Sequence, residues 1–219
     1  MDENYTKELE AIIRAFLKPL RNVPYYVGIQ VLTGCRVLHF DLSDKENLEL
    51  LELLKRAAQK AGEEANRKGI YTQRPNEARN MIKPFVIDAL NSVGLKASKP
   101  RTKTGKIKTA GYPDIEIVDR KGRTIYLDCK TYSRTTKNQS LRTFYFSPSE
   151  DPKITKDAFH LLLSFELEKR KRQDKMVFVP VSWQLYTLEK LKVQVKHEFN
   201  ASNKDIYKSE FLLAEGKIE

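Results

Sequence analysis

Pro113-Asp114-Ile115-Glu116-Ile117-Val118-Asp119-Arg120-Lys121-Gly122-Arg123-Thr124-Ile125-Tyr126-Leu127-Asp128-Cys129-Lys130 reads as one β-hairpin that carries two aspartates and a lysine at its open end. Both arms alternate apolar with polar residues and are rich in β-branched side chains, the period-two pattern of half-buried strands. A three-residue loop, Arg120-Lys121-Gly122, with Gly122 in the left-handed conformation, closes Asp119 against Arg123. Counting back from that pair sets Asp114 opposite Asp128. The register can be tested, because a one-residue slip turns every side chain over. Both strands agree: Ile115, Ile117, Ile125, Leu127 and Cys129 fall on one face, and Asp114, Glu116, Tyr126, Asp128 and Lys130 on the other.

Opposed residues of an antiparallel pair have Cα atoms roughly 4.5–5.5 Å apart. Two carboxylates that close repel unless a positive charge stands between them. Mg²⁺ suits such a face, since it takes oxygen ligands at roughly 2.0–2.1 Å and keeps waters and substrate phosphate in its shell. With Lys130 placed to orient or deprotonate a water, the pattern points to metal-dependent phosphodiester hydrolysis. A chain with 32% charged residues also produces the acid-x-lysine spacing by chance. Asp119-Arg120-Lys121, Asp151-Pro152-Lys153 and Glu215-Gly216-Lys217 match it too, and each reads as a turn or a solvated tail. Only the Asp128 triplet ends an apolar-alternating strand with a partner aspartate across from it.

Over residues 74 to 181 these features resemble the PD-(D/E)xK nucleases, which include most type II restriction endonucleases and several resolvases and repair nucleases. The resemblance implies a mixed central β-sheet flanked by helices. It matches Asp114 to the first acid, Asp128 to the second and Lys130 to the lysine, and makes the backbone carbonyl of Cys129 a further metal ligand. It also matches Glu77, in Arg74-Pro75-Asn76-Glu77-Ala78-Arg79, to a glutamate that many members carry on a helix before the hairpin; a carboxylate in a first helical turn is also favoured by the helix dipole alone. Glu116 shares the face of Asp114 and reads as a neighbour of the site or a solvated residue.

The expected architecture is therefore α/β, a single nuclease domain over 1–219 with an N-terminal elaboration (1–70), a catalytic core (71–181) and a C-terminal segment (182–219) with a possible recognition role. Helices are expected over 5–17, over 43–69 behind a capping box at Ser43-Asp44-Lys45-Glu46, and over 75–93 with Pro84 as an interruption. Residues 25–32 and 36–40 read as two strands around Thr33-Gly34. A helix is expected from about Asp157 to Arg172, and a buried strand from Lys175 to Val181. Phe144-Tyr145-Phe146 reads as strand core, and Trp183 and Tyr186 as packing residues.

Forty Lys and Arg against twenty-nine Asp and Glu leave a net charge of +11, which suits a polyanionic partner. Lys99, Arg101, Lys103, Lys106 and Lys108 lie in a stretch without apolar period that leads into the hairpin, read as a flexible loop that tracks phosphates. Arg134 and Lys137 follow Lys130 and are read the same way. Two cysteines argue for a reducing compartment rather than a disulfide framework. Three widely spaced histidines give no zinc pattern. A polar, acidic N-terminus and short apolar runs point to a cytoplasmic protein with no membrane partner. The combined expectation is a Mg²⁺-dependent type II restriction endonuclease, with Mn²⁺ as substitute, acting as a homodimer on double-stranded DNA and leaving 5′-phosphate and 3′-hydroxyl ends. The alternatives are a structure-specific enzyme such as a Holliday junction resolvase or repair nuclease, and a DNA-binding protein without catalysis.

Overall fold

The structure, a computed structural model, describes residues 3–72, 75–133, 144–172 and 175–196, with the helical backbone alone for 3–4 and 75–77. In chain order the elements are α1 (Glu3–Phe16), β1 (Leu20–Pro24), α2 (Tyr25–Thr33), α3 (Lys45–Lys68), α4 (Pro75–Ser92), β2 (Lys96–Ser98), β3 (Ile115–Val118), β4 (Thr124–Tyr132), β5 (Phe159–Arg172), β6 (Lys175–Thr187) and β7 (Lys192–Val195). They form two compact units, Pro24–Leu191 and the two chain ends, Met1–Val23 with Lys192–Glu219. In the smaller unit β1 pairs with β7 in a two-stranded sheet, and α1 presents Tyr5, Leu9, Ile12 and Phe16 on its exposed surface.

The larger unit is built on a five-stranded sheet of order β2-β3-β4-β5-β6. The pairs β2–β3, β3–β4 and β5–β6 are antiparallel, whereas β4 and β5 run parallel. This is the expected mixed α/β architecture. Ile115, Ile117, Ile125, Leu127 and Cys129 are all within 1% of full burial. They join Leu50, Leu54 and Ala61 of α3 and Ala78, Ile82 and Val86 of α4 in one hydrophobic core. The helices thus cover the sheet face that alternation in the hairpin assigned to the interior. Strand β6 lies at the edge, where Pro180 removes no ladder donor from a central strand. The pairing slips at Glu166/Leu167, leaving Val181 as the extra residue of a bulge.

Helix α3 starts one residue later than a Ser43 cap implies. Asp44 is the cap, its carboxylate accepting from the amides of Glu46 and Asn47, while Ser43 bonds back to Asp41. Pro84 lies inside α4 without ending it.

Four expectations are corrected. Residues 25–32 are not a strand: Tyr25-Tyr26-Val27-Gly28-Ile29-Gln30-Val31-Leu32-Thr33 forms helix α2, closed by Gly34 at φ 74°, whose amide donates to the Gln30 carbonyl. Only Tyr25 and Ile29, one helical turn apart, are buried. Gly28 leaves room for the Phe146 ring, which would lie 3.3 Å from an added Cβ. Arg36–Phe40 contributes only an isolated bridge, Val37 to Ala158. The residues from Asp157 to Arg172 are not a helix either. Phe159, Leu161, Leu163, Phe165 and Leu167 alternate into the core as β5, flanked by β4 and β6. Leu, Glu, Lys and Arg favour helix locally, but two neighbouring strands satisfy the backbone of β5 and override that preference. Finally, Phe144 to Phe146 is irregular rather than strand.

Candidate active site

The hairpin register is the one its sequence dictates. Ile115 pairs with Leu127, Glu116 with Tyr126, Ile117 with Ile125 and Val118 with Thr124. Asp119 and Arg123 close the loop through a 3.0 Å backbone hydrogen bond, with Gly122 at φ 79°. The ladder ends at Ile115. Beyond it the Asp114 amide donates to the Leu127 carbonyl at 3.1 Å, and the Asp114 carboxylate accepts from the Cys129 amide at 3.1 Å. Asp114 therefore grips the backbone on both sides of Asp128, and both acids reach one cleft.

That cleft has a volume of about 500 Å³ and is lined by Asp114, Asp128 and Lys130 together with Arg79, Lys83, Lys99, Lys108 and Lys153. Each carboxylate is met by an ammonium. Lys83 Nζ of α4 lies 2.6 Å from Asp114 Oδ1, and Lys130 Nζ lies 2.8 Å from Asp128 Oδ2. Asp128 Oδ2 is buried, and the Lys130 ammonium is the donor that meets it. Burial pushes the Asp128 carboxyl up in pKa; Lys130 opposes the shift, Asp114 adds to it, and Arg79 pulls the other way. Arg79 Nε is likewise buried with no acceptor among the described residues.

A hard divalent cation fits this donor set. Two buried carboxylates side by side supply only oxygen, the donor type such an ion takes. No group of three or more His, Cys, Asp or Glu side chains stands together among the described residues. The backbone of Glu77 lies in the first turn of α4, two residues before Arg79, and its side chain lies outside the described residues. Glu116 does not face the cleft: it pairs with Lys156 at 3.0 Å.

The basic stretch before the hairpin is tied down by backbone hydrogen bonds. Lys96–Ser98 is β2, and residues 99–110 fold into a short tongue in which Arg101 bridges Ile107 and the Thr102 amide donates to the Lys106 carbonyl at 2.8 Å. Lys103 and Lys106 are exposed on it, while Lys108 is paired with Asp151 at 3.2 Å. Arg134 and Lys137 lie outside the described residues.

The Asp151-Pro152-Lys153 triplet is no solvated turn. Lys153 is 6% exposed and donates to the carbonyls of Gly111 at 2.8 Å and Pro113 at 3.2 Å, either side of the cis Tyr112–Pro113 bond. Lys83 carries no sequence signal beyond its residue type, and Lys153 only the acid-x-lysine spacing, because the partners of both are set by tertiary packing. Arg79 is signalled only by its place one turn before Lys83 on α4.

Behind Asp128 the sheet face is aromatic. His160 of β5 pairs with Tyr126, and both are buried. Tyr25 and Tyr112 direct their hydroxyls to His160 Nδ1 at 2.9 and 2.8 Å. Phe144 and Phe146 pack on Tyr25, while exposed Tyr145 lines the cleft. Burial lowers the His160 pKa to about 3. Trp183 packs on α3, its indole donating to Gln59 Oε1 at 2.8 Å.

No described helix is long and apolar enough to cross a membrane. Residues 19–210 match the family model described as the type II restriction enzyme MjaV family. A curated relative, the type II restriction enzyme MjaV of Methanocaldococcus jannaschii, is 38% identical in an alignment that covers all of this chain and 99% of the relative. Among solved structures, the tetrameric restriction endonuclease SfiI bound to cognate DNA matches with a TM-score of 0.38 at 14% identity, over 68% of this chain and 69% of that one.

Proposed function

We propose, from the premise that the chain belongs to the type II restriction enzyme MjaV family, that its cleft hydrolyses phosphodiesters of double-stranded DNA with Mg²⁺, for which Mn²⁺ substitutes. By family the protein is a sequence-specific restriction endonuclease. The observation that carries the proposal is the pair of buried carboxylates on one hairpin, each met by an ammonium, in a cleft whose other charged residues are all cations. A protein that only binds DNA gains nothing from burying two carboxylates where phosphate must approach.

Asp114, Asp128 and the Cys129 carbonyl would hold the cation. When bound, it supplies charge to neutralise the phosphoryl oxygens and to acidify a water. Lys130 would orient a water whose oxygen bonds to phosphorus as the bond to the 3′ oxygen breaks. The attacking water gives up its proton to solvent, a solvent proton completes the 3′ hydroxyl, and the 5′ side retains the phosphate. Arg79 and Lys83 face the cleft with donors suited to non-bridging phosphate oxygens. Lys99, Arg101, Lys103 and Lys106 would follow the flanking backbone, as would Arg134 and Lys137. Residues 71–181 carry the catalytic core in this reading, and two copies act as a homodimer on a short palindromic site in the cytoplasm.

The test is incubation of the purified protein with plasmid DNA and Mg²⁺, followed by mapping of the ends. Discrete fragments with a common sequence at their 5′-phosphorylated ends are expected, and none with Asp114→Ala. A random smear that survives Asp114→Ala would refute the assignment.

A further inference from the structure

Two residues of one short segment grip two different parts of the cleft. The Asp151 carboxylate accepts from the amide and hydroxyl of Thr104, both at 2.9 Å, and pairs with Lys108 at 3.2 Å. The Pro152 carbonyl accepts from the Lys103 amide at 2.9 Å. These bonds fix the basic tongue. One residue further on, the buried Lys153 ammonium spends two of its three hydrogens on the carbonyls of Gly111 and Pro113. Those carbonyls belong to the segment that delivers Asp114. An ammonium this deep is maintained only by good partners, since desolvation favours its neutral form. Asp114 opposes that effect by its charge.

We infer that Asp151-Pro152-Lys153 is a clasp with two separable duties: Lys153 is a positioning residue for Asp114, and Asp151 positions the tongue that engages the DNA backbone. The inference rests on the nuclease reading above. It assigns to a third acid-x-lysine triplet a supporting role beside the catalytic one. Neither residue acts on the reacting atoms; each acts through the segment it holds.

The two duties predict opposite kinetic signatures. Lys153→Met removes the donors but keeps most of the volume, so kcat/KM falls at least tenfold with most of the loss in kcat. Asp151→Asn loosens the tongue, so kcat/KM falls by a similar factor with most of the loss in KM, and DNA binding in Ca²⁺ weakens with a shallower salt dependence. A readout independent of turnover is Mn²⁺ binding without DNA, measured by calorimetry. If Lys153 acted only through its charge, removing it would tighten cation binding. If it places Asp114, Lys153→Met weakens Mn²⁺ binding, by threefold or more.

Should Lys153→Met unfold at the assay temperature, Lys153→Gln, which keeps an amide donor for one carbonyl, is judged by the same criteria. Unchanged or tighter Mn²⁺ binding, or parallel losses of kcat and KM in both variants, overturns the clasp while wild-type cleavage leaves the nuclease reading standing. Failure of the wild-type protein to cut any DNA overturns both.

Discussion

His160 should make the fold acid-sensitive over a defined range. Its ring is 1% exposed, its Nδ1 faces the hydroxyls of Tyr25 and Tyr112, and its Nε2 is buried with no partner among the described residues. The groups packed around it are Tyr25 of α2, Tyr112 of the pre-hairpin segment and Tyr126 of β4, with the Asp128 charge felt at both Tyr25 and Tyr112. Burial lowers the His160 pKa from 6.5 to about 3. The unfolded chain therefore takes up this proton as pH falls through 6.5 while the folded protein refuses it down to about 3. The associated stability is full above the unfolded pKa and is lost as pH falls through that window. At roughly 1.4 kcal/mol per pH unit, the loss between pH 7 and pH 5 is about 2 kcal/mol, a large share of a typical domain stability of roughly 5–15 kcal/mol.

The assay is urea unfolding of the wild type and His160→Asn at both pH values. Asp128 contributes with the opposite sign, because its pKa is raised by burial, but it is present in both proteins and drops out of their difference. The stability gap between wild type and variant should narrow by about 2 kcal/mol on acidification. A gap that stays constant with pH would refute the reasoning, whatever its absolute size.

Asp114→Ala, Asp128→Ala and Lys130→Ala should each lower the cleavage rate by on the order of 10²–10⁴ with the fold retained, since all three side chains lie outside the hydrophobic core; near wild-type turnover in any of them would remove that residue from the site. Excess chelator should abolish cleavage, Mg²⁺ or Mn²⁺ should restore it and Ca²⁺ should support binding only, a pattern read by gel assay with each ion in turn. Replacing Lys99, Arg101, Lys103 and Lys106 together with Gln should flatten the plot of log affinity against log salt by about 0.9 for each phosphate no longer neutralised, with sequence preference retained. That series is measured with Asp128→Ala protein on cognate and scrambled duplexes, and an unchanged slope would return the tongue to ordinary surface.

The hairpin is legible in the sequence because its information is local: alternation, a left-handed glycine and a face test that only one register passes. The long amphipathic helix α3 is legible for the same reason. The two elements that depart from their local pattern are segments whose fate is settled by neighbours. In β5 strong helix formers are held extended between β4 and β6. In α2, aromatic and β-branched residues that favour strands are wound into a helix whose two buried positions are four apart. Nine residues are too few for that period to outweigh composition.

The site shows the same division. Asp114, Asp128 and Lys130 meet because one hairpin carries all three, whereas Lys83 and Lys153 arrive from a helix and a distant loop. Lys153 is illegible for a physical reason: a charged triplet around a proline is solvated unless tertiary structure buries it, and burial of a lysine is rare without partners. Here the partners are backbone carbonyls, which no side-chain motif encodes. The same holds for the net charge of +11. Composition says that a polyanion is welcome, but only the fold brings six cationic side chains around two carboxylates in one cleft. The cleft stays net positive even with both acids ionised. That excess is what a phosphodiester needs in order to approach buried carboxylates that would otherwise repel it.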